Sequence, residues 1–315
     1  MNMIEYSRKI IMCEEIMEKT PHVGLIIVNK EEGMTSQTVV NRVKRIFGAD
    51  KAGHTGTLDP LATGVLPVLL GRAVKASEFM LSADKHYGAT LLLGEERDTE
   101  DITGKLVSSC DRIPAEEEVM AAIASFEGTI MQTPPMYSAL KIGGKKLCDL
   151  AREGITVERE RREVTVYKID AKRLSEREYY LDVTCSKGTY IRTLCADIGK
   201  ALGVGGVMKT LERLSASGFS LGEAYTLGEL ENMTEEEREG CILPTERIFE
   251  GLPSVTLSDF FARLASSGLE IYEKKIGTSL GVGTRVKLYS KTGFFAVGEV
   301  REFEDGTAIK PIRQF

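Results

Sequence analysis

The clearest candidate for chemistry in this chain is a glycine-rich segment, residues 53–64, that carries a histidine and an aspartate five positions apart. The aspartate, Asp59, could attack an electrophilic carbon covalently through its carboxylate. Three glycines and a proline punctuate the segment, so its backbone cannot run as a regular helix or a central strand. Because Pro60 restricts the residue before it, we expect a shaped loop that presents Asp59 at a surface cleft.

Asp59 and His54 each have a simpler interpretation. On residue type alone, an aspartate before a proline is more typical of a turn or a helix cap. The apolar run that follows, residues 64–71, favours a functional Asp59, because a buried strand there would hold the far end of the loop. His54 alone is more typical of a structural histidine. A metal site is not expected, because the chain has only 3 histidines, none at ligand spacing, and no Cys-x-x-Cys pair.

Three further segments carry polar and aromatic residues in a recognisable order. They are KHYGAT at residues 85–90, QTPPMYSALK with GGKKL at residues 132–147, and CSKGTYIRTL at residues 185–194. Together with the loop, they closely resemble the TruB family, the bacterial tRNA pseudouridine-55 synthases, over about residues 23–220. Four motifs in the same order make this resemblance far more specific than any one motif alone.

The resemblance implies an isomerase that needs no cofactor and no metal. Such an enzyme breaks the N1 glycosidic bond of a uridine in the T-loop of tRNA and rejoins the base through C5. Asp59 corresponds to the family's catalytic aspartate. Arg192 corresponds to the arginine beside it, and that pairing would lower the pKa of the carboxyl group and keep it ionised near neutrality. Tyr87 corresponds to the tyrosine that stacks on the target base and moves a proton.

The same resemblance assigns residues that bind the substrate. A base inside a folded T-loop is inaccessible, so the enzyme must flip it out and compensate for its lost stacking. His54 corresponds to the histidine that intrudes into the T-loop. Tyr190 and Leu211 correspond to residues that line the pocket, and Lys30 to a basic residue near it.

A lysine-rich insertion, about residues 132–162, is expected to clamp the RNA. Its Pro-Pro and Gly-Gly pairs exclude one continuous element, so we expect an exposed insertion. Residues 137–162 carry seven Lys or Arg against four Asp or Glu, although the whole chain has a formal net charge of -6. RNA is recognised largely through its backbone and shape. The expected RNA contacts are Lys141, Lys145, Lys146, Arg161 and Arg162.

Hydrophobic patterning predicts a sheet flanked by helices. Strand-like runs occur at residues 23–28, 87–93 and 180–185, and a helix with one apolar face follows Thr189. Arg192 falls off the apolar face of that helix. By resemblance, the fold class is α+β: a mixed, largely antiparallel sheet core of the pseudouridine synthase type flanked by helices, plus a small C-terminal PUA-like β-barrel.

Composition changes suggest three units along the chain. Residues 1–22 are predicted to form an N-terminal extension with a frayed helix. Residues 23–248 form the expected catalytic domain, and Pro244 with the Gly-Leu-Pro at residues 251–253 marks a linker. Residues 253–315 have the size and turn pattern of a small β-barrel, which by resemblance is a PUA-like RNA-binding domain.

Composition also bounds the surroundings in which the protein acts. No apolar run approaches the roughly 20 residues that a membrane helix needs, and the first 20 residues lack the apolar core of a signal peptide. The 6 scattered cysteines fit reduced thiols better than a disulfide framework. We therefore expect a cytoplasmic protein away from the membrane. By resemblance, its partner is the T-arm of tRNA, and we expect it to be a monomer.

Other interpretations remain open at this point. Glu31 follows Lys30 where the family has proline, and Arg97 stands where the family commonly has threonine. An RNA-binding chaperone on the same fold, without turnover, is one alternative. A carboxylate-based glycosidase is another, but it needs a second acid near Asp59, and none stands out. A phosphate-loop enzyme is disfavoured because the glycine loop lacks the Gly-Lys-Ser/Thr ending.

Overall fold

A mixed sheet of nine strands forms the centre of the protein, and a separate sheet of five strands follows it toward the C-terminus. The computed structural model describes residues 22–315. The extension predicted over residues 1–22 therefore lies outside the described residues, apart from His22.

The strands and helices are numbered here in chain order within the described residues. The strands are β1 (Gly24–Lys30), β2 (Ala52–His54), β3 (Thr63–Leu70), β4 (Lys85–Leu93), β5 (Glu95–Arg97), β6 (Leu106–Ser109), β7 (Gly128–Gln132), β8 (Lys141–Ile142), β9 (Lys145–Lys146), β10 (Arg162–Arg173), β11 (Glu178–Cys185), β12 (Gly206–Ala216), β13 (Phe219–Ser220), β14 (Ser254–Thr256), β15 (Ile271–Tyr272), β16 (Arg285–Ser290), β17 (Gly293–Phe303) and β18 (Gly306–Gln314). The α-helices are α1 (Ser36–Ile46), α2 (Ser77–Leu81), α3 (Glu116–Ala124), α4 (Leu147–Arg152), α5 (Ile191–Ala201), α6 (Leu227–Asn232), α7 (Glu235–Gly240), α8 (Asp259–Ser266) and α9 (Glu273–Ile276).

The large sheet is mixed but mainly antiparallel. Its order is β1-β3-β12-β4-β11-β10-β7, with β2 added to β3 and β13 to β12. The pairing of β3 with β12 is parallel, and the other neighbours run antiparallel. This order places β12 beside β4, so residues far apart in the chain meet in the middle of the sheet.

Strand β1 is covered on both faces, which explains its continuous apolar sequence. Ile26 and Val28 join the cluster that includes residues of α1, α3 and α5. Leu25 and Ile27 point to the other face, where they pack with Met80. A strand buried on both faces loses the alternation that marks a half-exposed strand.

Helix α1 shows how local sequence fixes an element beside the loop of residues 53–64. Thr35 caps the helix, because its hydroxyl accepts from the backbone N–H of Thr38 at 3.1 Å. Val39, Val40 and Val43 form its buried stripe. The cap and the stripe together fix the start of the helix next to that loop.

The predicted insertion contains two short elements. Strands β8 and β9 form a two-stranded ribbon, and α4 follows directly. Gly143 and Gly144 make the turn of this ribbon with φ angles of 57° and 83°, a left-handed region that glycine adopts readily. Leu147 and Leu150 of α4 are buried, so the insertion has its own apolar contact.

The five-stranded sheet has the order β14-β16-β17-β18-β15 and packs with α8 around its own apolar cluster. The segment predicted as a linker contains a 3-10 helix, Thr245–Phe249. Phe249 is buried there, with its ring centroid 5.1 Å from Phe79, 5.9 Å from Phe294 and 5.6 Å from Phe315. An aromatic cluster thus joins the two sheets. No helix within residues 22–315 is long and apolar enough to cross a membrane.

Candidate active site

The loop that carries Asp59 is anchored on both sides. The hydroxyl of Ser36, at the start of α1, donates to the carbonyl of Leu58 at 3.0 Å, and the N–H of Leu58 donates back at 2.9 Å. On the other side, Lys30 Nζ donates to the carbonyl of Pro60 at 3.3 Å. Asp59 is therefore held between two fixed neighbours, with its side chain 36% exposed.

Arg192 lies against Asp59 and is itself buried. Its Nη2 lies 3.0 Å from Asp59 Oδ2 and donates to the carbonyl of Tyr137 at 2.7 Å. Its Nη1 donates to the carbonyl of Thr99 at 3.1 Å and lies 3.7 Å from Asp101 Oδ2. Arg192 does fall off the apolar face of α5, yet segments from elsewhere in the chain cover it, so its side chain is only 5% exposed.

Asp101 is a residue of this site that the sequence analysis missed. Its Oδ1 accepts from the hydroxyl of Thr99 at 2.8 Å and from the backbone N–H of Thr103 at 3.0 Å. The side chain is 8% exposed. The local signal is a Thr, Asp and Thr at alternate positions from 99 to 103, but any polar turn can carry that pattern. Only the fold brings Asp101 to Arg192.

The pKa of Asp59 is raised above its ordinary value, mainly because burial penalises the charged form. The positive charge of Arg192 opposes this shift, and the negative charge of Asp101 adds to it. Arg192 does lower the pKa of Asp59, as the sequence analysis expected, but burial is the larger effect, so the net shift of the pKa is upward. Asp59 exchanges its proton closer to neutrality than an exposed aspartate does, which is typical of functional carboxyl groups.

Tyr87 lies on β4 in the middle of the large sheet. It is opposite Arg213 of β12 on one side and Val183 of β11 on the other. The residue is 9% exposed. Burial raises the pKa of Tyr87, whereas the charge of Arg213 and hydrogen bonding to it lower that pKa. The negative charge of Asp59 also acts on Tyr87, which puts the two side chains within one electrostatic environment.

A cavity of about 620 Å³ opens beside Asp59. Arg192, Asp101, Tyr137 and His54 contribute to its wall. Four of the residues predicted to bind or process the base do not line it: Tyr87, Tyr190, Leu211 and Lys30. Carboxylate and cationic side chains therefore both line the cavity at the loop, while Tyr87 and Tyr190 lie outside its wall.

Lys30 is fully buried at the end of β1. It donates to the carbonyl of Glu31 at 2.8 Å as well as to that of Pro60. Burial lowers the pKa of Lys30 to about 8, although the negative charge of Asp59 opposes the shift. Lys30 therefore supports the loop backbone and acts on Asp59 through its charge.

His54, on β2, lines the cavity as a weakly basic imidazole. Burial lowers its pKa, and the positive charge of Arg213 lowers it further. Its Nδ1 is buried and has no hydrogen-bond partner within residues 22–315.

Tyr190 and Leu211 are held by the elements that flank the site. Gln132, at the end of β7, donates to the carbonyl of Tyr190 at 3.2 Å and accepts from its N–H at 3.0 Å. Gln132 is 1% exposed and is a second residue that the sequence analysis did not single out. Leu211 is buried on β12 opposite Ala89.

The basic residues of the insertion are exposed and close together. Lys141 lies directly opposite Lys146 in the ribbon, and Lys145 is next to it. Like charges placed opposite each other on a sheet repel. Within residues 22–315, no carboxylate forms an ion pair with any of these three lysines. Arg161 donates to the carbonyl of Met131 at 2.9 Å, and Arg161 and Arg162 are both exposed.

Within the described part of the chain, no group of three or more His, Cys, Asp or Glu side chains is arranged to hold a metal ion. The five cysteines in residues 22–315 are free: Cys110, Cys148, Cys185, Cys195 and Cys241. The candidate site thus consists of carboxyl, guanidinium, phenol and imidazole groups.

Two family models match the chain. The N-terminal domain of TruB family pseudouridylate synthases matches residues 44–191, and the tRNA pseudouridylate synthase B C-terminal domain matches residues 192–250. A tRNA pseudouridine synthase B of Alkaliphilus oremlandii is 41% identical over 280 residues, which cover 88% of this chain and 93% of that protein. A tRNA pseudouridine synthase B of Neisseria gonorrhoeae is 39% identical over 277 residues, which cover 88% of this chain and 90% of that protein.

A solved structure supports the same relationship in three dimensions. A crystal structure of a Cbf5-Nop10-Gar1 complex superimposes with a TM-score of 0.71 and 28% identity, covering 93% of this chain and 84% of that one. The predicted α+β class is confirmed, with its mixed, largely antiparallel sheet and a small PUA-like unit at the C-terminus.

Proposed function

The chain belongs to the TruB family of pseudouridylate synthases, and we propose that it isomerises uridine 55 in the T-loop of tRNA to pseudouridine. We also propose that it acts as a monomer in the cytoplasm and contacts the T-arm. The catalytic domain is residues 23–248, and residues 253–315 form a PUA-like RNA-binding domain.

The ion pair between Asp59 and Arg192 carries this proposal. Placing a carboxylate and a guanidinium 3.0 Å apart, beside a cavity and with Arg192 buried, costs desolvation that a surface pair avoids. Four oxygen atoms surround the guanidinium, so its position is fixed before substrate arrives. Pre-organised charge of this kind stabilises charge that develops during a reaction.

In the proposed reaction, Asp59 acts as the nucleophile. The bond between C1′ and N1 of the uridine breaks, the uracil turns, and a bond between C1′ and C5 forms. The carboxylate forms a covalent bond to a carbon of the nucleotide during this exchange. That bond breaks again by the time the C1′–C5 bond is complete, so the carboxylate is regenerated, and Arg192 pairs with its charge before and after. The raised pKa of Asp59 supports this role, because such a carboxylate is more basic than an exposed one.

Tyr87 is proposed to stack on the detached base and to accept the proton that leaves C5. Its ring provides a flat apolar surface, and its hydroxyl can move a proton. His54 would replace the flipped base within the T-loop, and Tyr190 and Leu211 would hold the uracil. Lys30 supports the loop that presents Asp59.

The exposed lysine ribbon is proposed to contact tRNA phosphates. Lys141, Lys145 and Lys146 repel one another in the absence of a polyanion, and a phosphate backbone would relieve that repulsion. Arg161 and Arg162 lie at the base of the same insertion. Lys146 also lines the cavity, so the clamp and the reactive carboxylate share one surface.

Tritium release tests the function directly. A T-arm transcript labelled at C5 of its uridines should lose one tritium per molecule with the wild-type protein, because C5 exchanges its hydrogen for ribose. A transcript with cytidine in place of uridine 55 should lose none. Asp59→Asn should lower the rate by about four orders of magnitude or more, while tRNA affinity stays nearly unchanged.

Asp50→Asn is the matched control, since Asp50 is an exposed aspartate near the same loop. It should release tritium like the wild type. Tight tRNA binding without release by the wild-type protein would identify an RNA-binding protein without turnover. Tritium release from the cytidine-55 transcript would support pseudouridine formation but reject uridine 55 as the target nucleotide.

A further inference from the structure

Arg213 is the largest fully buried side chain in the described residues, and it carries a charge. The residue is 1% exposed, on β12 in the middle of the large sheet. Its Nε donates to the carbonyl of Val65 at 2.7 Å, and its Nη2 donates to the carbonyl of Gly56 at 2.9 Å. Within residues 22–315, no carboxylate lies within ion-pair distance of it. Arg192, by contrast, has two.

A buried guanidinium without a counter-ion is costly, because its charge has left water and no negative group compensates. The charged or titratable groups that face Arg213 do not supply one. They are the basic residues His54, Lys30 and Lys85, together with the phenol of Tyr87. Of these groups, only the Tyr87 oxygen can become negative.

The sheet register brings Arg213 and Tyr87 together. They are directly opposite in the β12–β4 pair, so their side chains share one face. The titratable and charged groups that act on Tyr87 are Arg213, Cys185 and Asp59, and among them Arg213 is the cation. Burial raises the pKa of Tyr87. The charge of Arg213 and hydrogen bonding to Arg213 both lower that pKa.

The glycines of the Asp59 loop make room for this arginine. A Cβ at Gly56 would lie 3.1 Å from Arg213 Nη1, and one at Gly64 would lie 2.3 Å from the Arg213 carbonyl oxygen. Both glycines also have positive φ angles, 74° and 98°. The absence of a side chain at Gly56 therefore leaves room for the Arg213 guanidinium, and Gly64 allows the close approach of the Arg213 backbone.

We propose that Arg213 is a positioning residue that holds the Tyr87 oxygen and supplies the counter-charge to its phenolate until that oxygen takes the C5 proton. This rests on the proposed function. In that step the C5–H bond breaks, its electron pair forms the C5=C6 double bond, and the N1=C6 electrons take up a proton from water at N1. The phenolate oxygen of Tyr87 accepts the C5 proton and becomes a phenol.

The test reads the ionisation of residue 87 without using RNA. Tyr87 is replaced by difluorotyrosine, whose lower phenol pKa can be titrated while the protein is folded, and its ¹⁹F shift is followed against pH. Arg213→Met should raise the midpoint by about one pH unit or more, because the counter-charge is lost. Lys209→Met, which removes a partly exposed lysine of the same strand that pairs with Glu178, should leave the midpoint unchanged.

Arg213→Lys tests the geometry of the guanidinium and replaces Arg213→Met if that variant does not fold by circular dichroism. This variant keeps the positive charge but loses the planar guanidinium with its several donors. We therefore expect a smaller upward shift of the titration midpoint of residue 87. In single-turnover tritium release, unlabelled Arg213→Met or Arg213→Lys should slow the reaction by about 10- to 100-fold, with tRNA affinity unchanged.

A midpoint that matches the Lys209→Met control would overturn the proposal, as would a wild-type rate in the Arg213 variants. Absence of tritium release by the wild-type protein would instead reject the proposed function. The fluorine titration would still report whether Arg213 controls the phenol, so the two failures are distinguishable.

Discussion

At the scale of single residues, Asp59 combines two opposing influences. Burial favours its neutral form, and Arg192 at 3.0 Å favours its charged form. Burial is the larger effect, so the pKa of this carboxyl group is higher than that of an aspartate in an exposed ion pair. Arg192 therefore limits the upward shift of the Asp59 pKa.

This balance predicts the pH dependence of the reaction. Only the ionised carboxylate attacks, so activity is lost as the pH falls through the pKa of Asp59. Arg192→Gln removes the positive charge, which raises that pKa further and moves the acid limb of the rate to higher pH. Single-turnover tritium release, followed as the pH is lowered from neutrality, measures this limb.

Arg42→Gln is the matched control for Arg192→Gln, since Arg42 forms an exposed pair with Glu231. Its acid limb should coincide with that of the wild type. An Arg192→Gln profile that loses rate equally at every pH would contradict the prediction and assign Arg192 to geometry alone.

The sequence located Asp59, Tyr87 and Arg192 because each stands in a distinctive motif. It did not locate Asp101 or Arg213, although both are buried ionisable groups. Asp101 sits in a polar turn, and Arg213 in a strand whose neighbour is set by sheet order. Neither signal is local, because the partners that make these residues unusual lie elsewhere in the chain.

At the scale of elements, the ribbon β8–β9 is a test of how the insertion meets RNA. A triple change of Lys141, Lys145 and Lys146 to alanine should weaken tRNA binding and flatten its salt dependence, because fewer counter-ions are released. Three lost contacts should reduce the slope of log affinity against log salt by about two to three.

The control for this change is a triple alanine variant at Lys168, Lys172 and Lys209, which are lysines of the large sheet outside the insertion. It removes the same charge and should leave the slope near the wild-type value. If both variants flatten the slope equally, net charge rather than the ribbon governs binding.

Gln132 connects the insertion to the helix that carries Arg192. It forms two hydrogen bonds to the backbone of Tyr190, immediately before α5. Gln132→Leu leaves both backbone groups without this partner and should destabilise the fold by about 1–3 kcal/mol. Loss of that anchor should also slow single-turnover isomerisation.

Gln132→Glu separates the two bonds, since a carboxylate accepts from the Tyr190 N–H but cannot donate to its carbonyl. Thermal melting and tritium release should both fall between the wild type and Gln132→Leu. Equal rates in all three proteins would mean that Tyr190 and Arg192 are positioned without Gln132.

The patterns predicted β1, β4, β11 and α5 well, because each has an apolar stripe or run with clear ends. They gave no short elements for the insertion, where two-residue strands carry too little periodicity to detect. Hydrophobic patterns also could not predict the order of the strands in the sheet, since the parallel pairing of β3 with β12 joins residues about 150 positions apart.

At the scale of the whole molecule, the two sheets meet through aromatic rings. Phe79 and Phe249 come from the first 252 residues, and Phe294 and Phe315 from the remainder. Arg313 also forms an ion pair with Glu78. The sequence predicted a break at residues 251–253 but could not predict this contact, because aromatic residues scattered along a chain carry no pairing signal.

Deletion of residues after Leu252 should therefore separate stability from chemistry. It exposes Phe249, whose burial contributes about 1.5–3 kcal/mol, so the truncated protein should melt at a lower temperature. Asp59, Arg192 and Tyr87 all remain, so tritium release from an isolated T-arm should persist, with the main loss in affinity for full-length tRNA.

Full-length Phe315→Ala is the control for this deletion. It weakens the same aromatic cluster, so it should melt at a lower temperature while its affinity for full-length tRNA is kept. A soluble, cooperatively melting truncation that fails on the isolated T-arm would mean that the second sheet shapes the active site through these rings.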